Sequence, residues 1–409
     1  MKTHINPKEK KEYVYLLRVL IASLYDREIP LPPSDLNWQF IIQLVNYNTC
    51  MNLFFNGISK LPEEYRPNEE IYSEMQNLNN LFLTQDINQM YELSTLFEEF
   101  EKQGVYFIPL KGYVLKADYP QSDFRIMTDS DILFKENQID LVKRIYRSLG
   151  YKFEHFDNDN QYHFKKEPFI YIEMHTSLVN HKDEKYAYFL DIWEKSHKKE
   201  NYNYYYEMTK EDYYIFLIEH ASNHFKIGGI GLRQLIDIYL FNKKYEKVLD
   251  YSYLTTEFEK IDLLVFEQKI KNIAVKWFEK QDFSSFSLLE EFILLSSTLG
   301  RFDVTFANKS IEHKQAMLKN NKKPSKIKFL ISQIFPSKEN MKKSYLYLNK
   351  FSFLLPISWI QMWGKRIFIS RNVHFKRGLK SRMDYIDEKG EEYLNNIYSE
   401  VGFKEKTPD

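Results

Sequence analysis

From residue 71 to residue 100 the chain contains neither glycine nor proline. A stretch that long without a breaker favours a helix, which satisfies each N–H and C=O inside the segment. Met75, Leu78, Phe82, Leu83, Ile87, Met90 and Leu93 fall near helical spacing and predict its inward stripe. The whole chain shares this bias. Its 409 residues hold only 12 glycines and 13 prolines, about half the average share. That scarcity argues against collagen-like, low-complexity and turn-rich all-β designs. With 32 Phe, 31 Tyr and 5 Trp, the chain can fill a large core, since each buried ring removes roughly 150–250 Å² from water.

The hydrophobic period changes along the sequence and suggests four regions. Residues 1–103 read as helical, with Leu16, Leu17, Leu20, Ile21 and Leu24 on one face and a second helix through Phe40, Ile41, Leu44 and Val45. Residues 104–200 alternate short strands (105–108, 129–134, 151–155, 162–166, 169–175) with helices after Lys111 and over 138–149. Residues 201–308 return to helix, with segments predicted at 212–221, 232–242, 255–278 and 287–299. Residues 309–409 form a basic, aromatic-rich region. The fold class expected is therefore α+β, a small mixed sheet embedded in a mostly helical chain.

The single cysteine, Cys50, excludes an intrachain disulfide and a cysteine-built zinc or iron–sulfur site. The polar N-terminus has no signal-peptide pattern and no apolar run approaches ~18 residues, so a cytoplasmic location without a transmembrane segment is expected. Lysines and arginines number 57, as do acids. That balance argues against a uniformly basic surface built for nucleic acid. It is a sum of unlike parts, however, because residues 309–382 hold 18 Lys and Arg against Glu312 and Glu339 alone. There Lys322, Lys323, Lys326, Lys328, Lys342, Lys343, Lys365, Arg366, Arg371, Lys376 and Arg377 alternate with aromatics such as Phe329, Phe335, Phe351, Trp359 and Trp363. Such a segment suits single-stranded nucleic acid, an anionic surface, or the acidic rest of its own chain.

The chemistry concentrates in three short strings. Lys111-Gly112 stands at a strand-to-helix junction, where free N–H groups favour an anion and glycine allows close approach. Arg125 lies four residues before Asp129 and could add a bidentate phosphate contact. Asp129 and Asp131, two apart on a predicted strand, share a face. Glu173, with His175 two residues on, lies on a later strand. Carboxylates held that close repel unless a hard divalent cation joins them. Adjacent strands would bring the three acids into one cluster able to hold Mg²⁺ or Mn²⁺ for displacement at phosphorus.

These strings resemble the uncharacterised nucleotidyltransferase family of the DNA-polymerase-β-like superfamily. The resemblance runs from about Gly104 to Leu240, with a weaker echo at Phe335-Pro336-Ser337. It departs from the superfamily pattern at Tyr113, where a small residue usually follows the glycine, and at Thr128 and Ser130 beside the aspartates. It implies Asp129, Asp131 and Glu173 as catalytic metal ligands, with Lys111, Gly112, Arg125 and His175 around the nucleoside triphosphate. It also implies that His220, His224, Arg233 and Asp237 line the opposite side of the cleft. On spacing alone, His220 and His224 share a helix face without the pattern of a zinc protease, and Arg233 with Asp237 suits an intrahelical ion pair. The activity implied is transfer of a nucleoside monophosphate from an NTP to an unidentified small-molecule, glycan-precursor or macromolecular acceptor, with pyrophosphate released. A non-catalytic binding protein on the same fold, or a toxin-type enzyme acting on RNA or protein, stands as the alternative.

Overall fold

The computed structural model describes residues 2–156, 161–179, 184–319, 323, 325–342, 345–369 and 388–403. The chain divides into two compact units, one of His4–Leu299 and the other of Gly300–Asp409 with Met1–Thr3.

The larger unit opens with α1 (Lys10–Leu24), α2 (Trp38–Tyr47) and α3 (Met51–Ile58). The long breaker-free stretch forms α4 (Glu69–Gln103), 35 residues. The Asn68 side chain caps its first turn by accepting from Ile71 N, and Gly104 at φ 79° ends it in the left-handed region. Of the expected stripe, Met75 and Leu93 are buried, but Leu83 and Ile87 are exposed and Asp86 and Gln89 turn inward instead. Those polar side chains have partners that offset their burial. Asp86 pairs with buried Lys116, and Gln89 Nε2 donates to Met127 O at 3.2 Å.

The sheet follows: β1 (Phe107–Pro109), α5 (Lys111–Leu115), β2 (Ser130–Phe134), α6 (Ile139–Ser148), β3 (Lys152–Phe156), β4 (Gln161–Lys166) and β5 (Ile170–His175). Its order is β1-β2-β5-β4-β3. Strands β2 and β5 pair parallel and the other neighbours pair antiparallel. The mixed sheet within helices is the α+β class expected. Strand alternation sends Ile132, Phe134, Phe164, Ile172 and Met174 to one face, against Phe97 and Phe100 of α4 and Val142, Ile145 and Tyr146 of α6. Tyr146 stacks on Phe164 with ring centroids 3.9 Å apart. Each such buried side chain contributes about 1.5–3 kcal/mol. With that face covered, Asp131, His163, Glu173 and His175 are left to the other.

The unit continues with α7 (Ile192–Lys195), the small ribbon β6 (His197–Lys198) and β7 (Tyr206–Glu207), α8 (Lys210–Ile227), α9 (Leu232–Tyr245), α10 (Tyr251–Lys260), α11 (Leu264–Phe278) and α12 (Leu288–Leu295). The single helix predicted over 255–278 is two, α10 and α11. Asp262 takes φ 56° between them, a left-handed turn that Asp tolerates better than most residues. No glycine or proline marks the break.

The smaller unit holds α13 (Phe302–Lys319), α14 (Lys326–Ile334), α15 (Lys338–Lys342), α16 (Leu355–Ile369) and α17 (Glu388–Glu400). Among the described residues no helix is long and apolar enough to cross a membrane. Of the basic positions named above, Lys322, Lys343, Arg371, Lys376 and Arg377 lie outside the described residues.

Candidate active site

The parallel pairing of β2 with β5 sets Asp131 directly beside Glu173. On β4, His163 is the cross-strand partner of Glu173, and on β3, His155 is the partner of His163. One transverse row of side chains, Asp131, Glu173, His163 and His155, therefore crosses four strands on a single face. His175, two residues after Glu173, joins the same face. The ligand atoms of Asp131, Glu173 and His175 lie within 4.8 Å of one another. His163 Nδ1 stands 3.6 Å from Glu173 Oε1, and its ring stacks on His155 at 4.2 Å.

Asp131 is buried, and its Oδ1 takes two partners, Lys111 Nζ at 2.7 Å and His175 Nε2 at 2.8 Å. Burial opposes its charge, but Lys111 and His175 hold the carboxyl well below its ordinary range. Glu173 behaves in the opposite sense. Burial, then Asp131 and Asp129, push it up to about 7. The cluster thus carries more negative charge than its cations balance. Asp129 falls just before β2 and is half-buried, with Oδ1 3.2 Å from Thr128 Oγ1. It stands outside the tight ligand group among the described residues, yet its charge acts on Lys111, Glu173 and Arg233.

Lys111 ends the β1 connection in an unusual backbone state, φ 42°, the left-handed region that costs a non-glycine residue about 1–3 kcal/mol. Two hydrogen bonds fix the turn. Leu110 N donates to Asp131 O at 2.9 Å, and Tyr213 Oη of α8 donates to Lys111 O at 3.1 Å. The strain aims the ammonium at Asp131, which holds it above its ordinary value against the opposing effect of burial. Gly112 is buried in the five-residue α5. A Cβ there would come within 2.6 Å of Met127 Sδ and 3.0 Å of Arg125 Nη1, so the glycine lets α5 close onto these two side chains.

Arg125 and Asp237 meet each other. Arg125 Nε and Nη2 donate to the two Asp237 oxygens at 3.0 and 2.9 Å, and Tyr119 Oη donates to Oδ1 at 2.8 Å. Both partners are buried. Arg233, four residues from Asp237, is not its ion-pair partner by contact; Nη1 donates to Ile126 O at 3.1 Å while Nε is buried with no hydrogen-bond partner among the described residues.

His220 and His224 pack ring to ring on α8, centroids 4.5 Å apart. Burial, then the nearby Lys111 charge, keeps both neutral; His224 is held down to about 4 and His220 is also well below its ordinary value. Asp131 acts on both histidines, which places this face of α8 within electrostatic reach of the carboxylates. One helical residue earlier, buried Glu219 is pushed up to about 7 by burial.

The structure thus gathers Lys111, Asp131, Glu173 and His175, sets Asp129, His220, His224 and Arg233 around them, and gives Arg125 to Asp237. His155, His163 and Glu219 were not singled out from the sequence. Aligning β3 with β4 around their hairpin would have found the two histidines, but the register was not legible. Glu219 gives no sequence signal.

A family model described as an uncharacterised nucleotidyltransferase matches residues 34–279. Comparison with curated protein sequences gives no match. Among solved structures, the solution structure of antibiotic-resistance factor ANT(2'')-Ia is similar to 48% of this chain over 100% of its own, at 9% identity and TM-score 0.32.

Proposed function

The chain belongs to the uncharacterised nucleotidyltransferase family, and we propose on that premise that it transfers a nucleoside monophosphate from an NTP to an acceptor hydroxyl. The observation that carries this reading is the in-register pair of Asp131 and Glu173, with Lys111 and His175 on one Asp131 oxygen. The donor set fits a divalent cation, because two carboxylates and an imidazole nitrogen converge within 4.8 Å of one another. Asp131, Glu173 and His175 would hold Mg²⁺ or Mn²⁺, with Asp129 beside them. Such a cation, when bound, neutralises charge on the triphosphate and on the attacking and leaving oxygens.

The chain's own groups then divide the work. Lys111 supplies a point charge for the phosphates once its hold on Asp131 is relieved. Glu173 helps remove the proton from the acceptor hydroxyl, whose oxygen forms the new bond to the α-phosphorus as pyrophosphate leaves. His220 and His224, neutral near pH 7, offer uncharged hydrogen bonds from the opposite side. Arg125 serves this site through Asp237, by fixing the segment before β2 against α9.

The test incubates the protein with each NTP labelled at the α-phosphate, Mg²⁺ and a cell extract. Label is expected to move to an acceptor with wild type and not with Asp131→Asn. Equal transfer by Asp131→Asn would remove the carboxylates from the reaction. Failure of wild type to bind any Mg-NTP by calorimetry would leave a non-catalytic binding protein.

A further inference from the structure

The row of side chains across the sheet continues past the ligand group of Asp131, Glu173 and His175, and Glu173 faces both ways along it. On the inner side its Oε2 lies 3.9 Å from His175 Nε2, and on the outer side its Oε1 lies 3.6 Å from His163 Nδ1. The outer gap is longer than an ordinary N–H···O hydrogen bond, which reaches about 3.2 Å. It is close to the separation of two donors on one tetrahedral zinc ion, about 3.3–3.5 Å for bonds of about 2.0–2.1 Å. The outer side is also the open one. The His163 and Glu173 side chains are 18% and 25% exposed, against 6% and 4% for His175 and Asp131.

His155 reaches the row through a fault in the strand ladder. Lys152 and Phe153 pair with Lys165 and Phe164, but after a register shift His155 pairs with His163 and Phe156 with Tyr162. The extra residue on β3 is Glu154. In an unbroken ladder Glu154 would oppose His163, and His155 would fall opposite Tyr162 on the aromatic face. The bulge turns His155 to the carboxylate face instead, and re-aiming a side chain is what bulges do beside active sites. The rings of His155 and His163 stack at 8° with centroids 4.2 Å apart. Strand β3 lies at the sheet edge and His155 is exposed, so its ring has room to turn toward an ion held by His163. Donor chemistry says which ion. Two imidazoles and one carboxylate oxygen suit zinc, whereas Mg²⁺ prefers oxygen ligands and keeps its waters.

We propose that His155, His163 and Glu173 Oε1 form a second cation site, on the outer flank of the Asp131 cluster, that takes Zn²⁺. It rests on the reading of the inner cluster only in sharing Glu173, whose carboxylate would bridge the two ions. The full-length protein is stripped with a chelator and titrated with Zn²⁺ in a calorimeter, without nucleotide. Asp131→Asn, with the inner cluster spoiled, is expected to take up one Zn²⁺ per chain. On that chain His163→Gln should weaken Zn²⁺ binding by at least the ~10-fold that removal of a supporting residue costs. His155→Ala, at an exposed position, should weaken it by about as much with circular dichroism unchanged. Zinc uptake by wild type but not by Asp131→Asn would put the ion in the inner cluster and overturn the proposal. Uptake indifferent to both histidine variants, or no uptake by any of these proteins, would overturn it too. Zinc binding that depends on both histidines supports the site even where no nucleotide is transferred.

Discussion

At Asp237 one buried carboxylate meets one buried guanidinium in a two-bonded fork, and a tyrosine hydroxyl donates to one of its oxygens as well. At Asp131 the carboxylate shares its surroundings with a second, Glu173, and a third acid, Asp129, acts on them from the strand's edge. A single lysine in a strained backbone conformation supplies the certain positive charge. Asp131 and Asp237 are both buried, so burial alone does not separate structure from chemistry. Charge balance does. A matched pair gains nothing from a further ion, and breaking it is what costs. An unmatched pair of acids stores repulsion that an incoming cation relieves, and perturbed titration beside a strained residue is the usual mark of a reactive site.

The comparison breaks first at Asp131. Asp131→Asn should lower Mg²⁺-dependent pyrophosphate release by on the order of 10³-fold, while its melting temperature stays within a few degrees of wild type. A variant that kept its turnover would make the unmatched cluster merely structural. Asp237→Ala should do the reverse, lowering stability by about 3–5 kcal/mol in urea unfolding because Arg125 is left buried and unpaired. A loss below about 1 kcal/mol would place this pair among weak surface bridges instead.

Glu219 sharpens the contrast through pH. Its folded pKa, about 7, lies above the ordinary 4.5, so between these values the folded chain keeps a proton that the unfolded chain has lost. The contribution of Glu219 to stability should therefore fall as pH rises from about 4.5 to about 7, by roughly 2–3 kcal/mol, while His220 and His224, both held low, contribute in the opposite sense. Glu219→Gln should gain stability relative to wild type across that range as pH rises, and a difference between the two proteins that does not change with pH would exclude a raised Glu219. The smallest effect expected is at Gly112. Gly112→Ala must push Met127 and Arg125 aside and should cost about 1–3 kcal/mol by thermal unfolding. A neutral result would show that Met127 yields freely.

Much of this molecule was legible before its coordinates. The absence of breakers over 71–100 marked α4, and the short aromatic runs after Gly104 marked the strands, because hydrophobic period and turn residues act locally. The middle of the α4 stripe was not legible. Asp86 and Gln89 face inward only because Lys116 and Met127 O, distant in sequence, wait for them there. The break at Asp262 was hidden for a related reason, since its left-handed turn uses a residue type common in helices and loops alike.

At the site the same division holds. The sequence by itself determined which residues could carry the chemistry: alternation put Asp131 on one face of its strand, and Glu173 and His175 on one face of theirs. Whether those faces coincided was decided by sheet order. Only the parallel pairing of β2 with β5 sets Asp131 beside Glu173 and brings His163 and His155 into the row. The tertiary structure also decided that Arg125, four residues from Asp129, turns instead to Asp237, 112 residues away. Spacing along a strand or helix fixes direction, whereas the partner of a buried charge is set by what else is desolvated next to it.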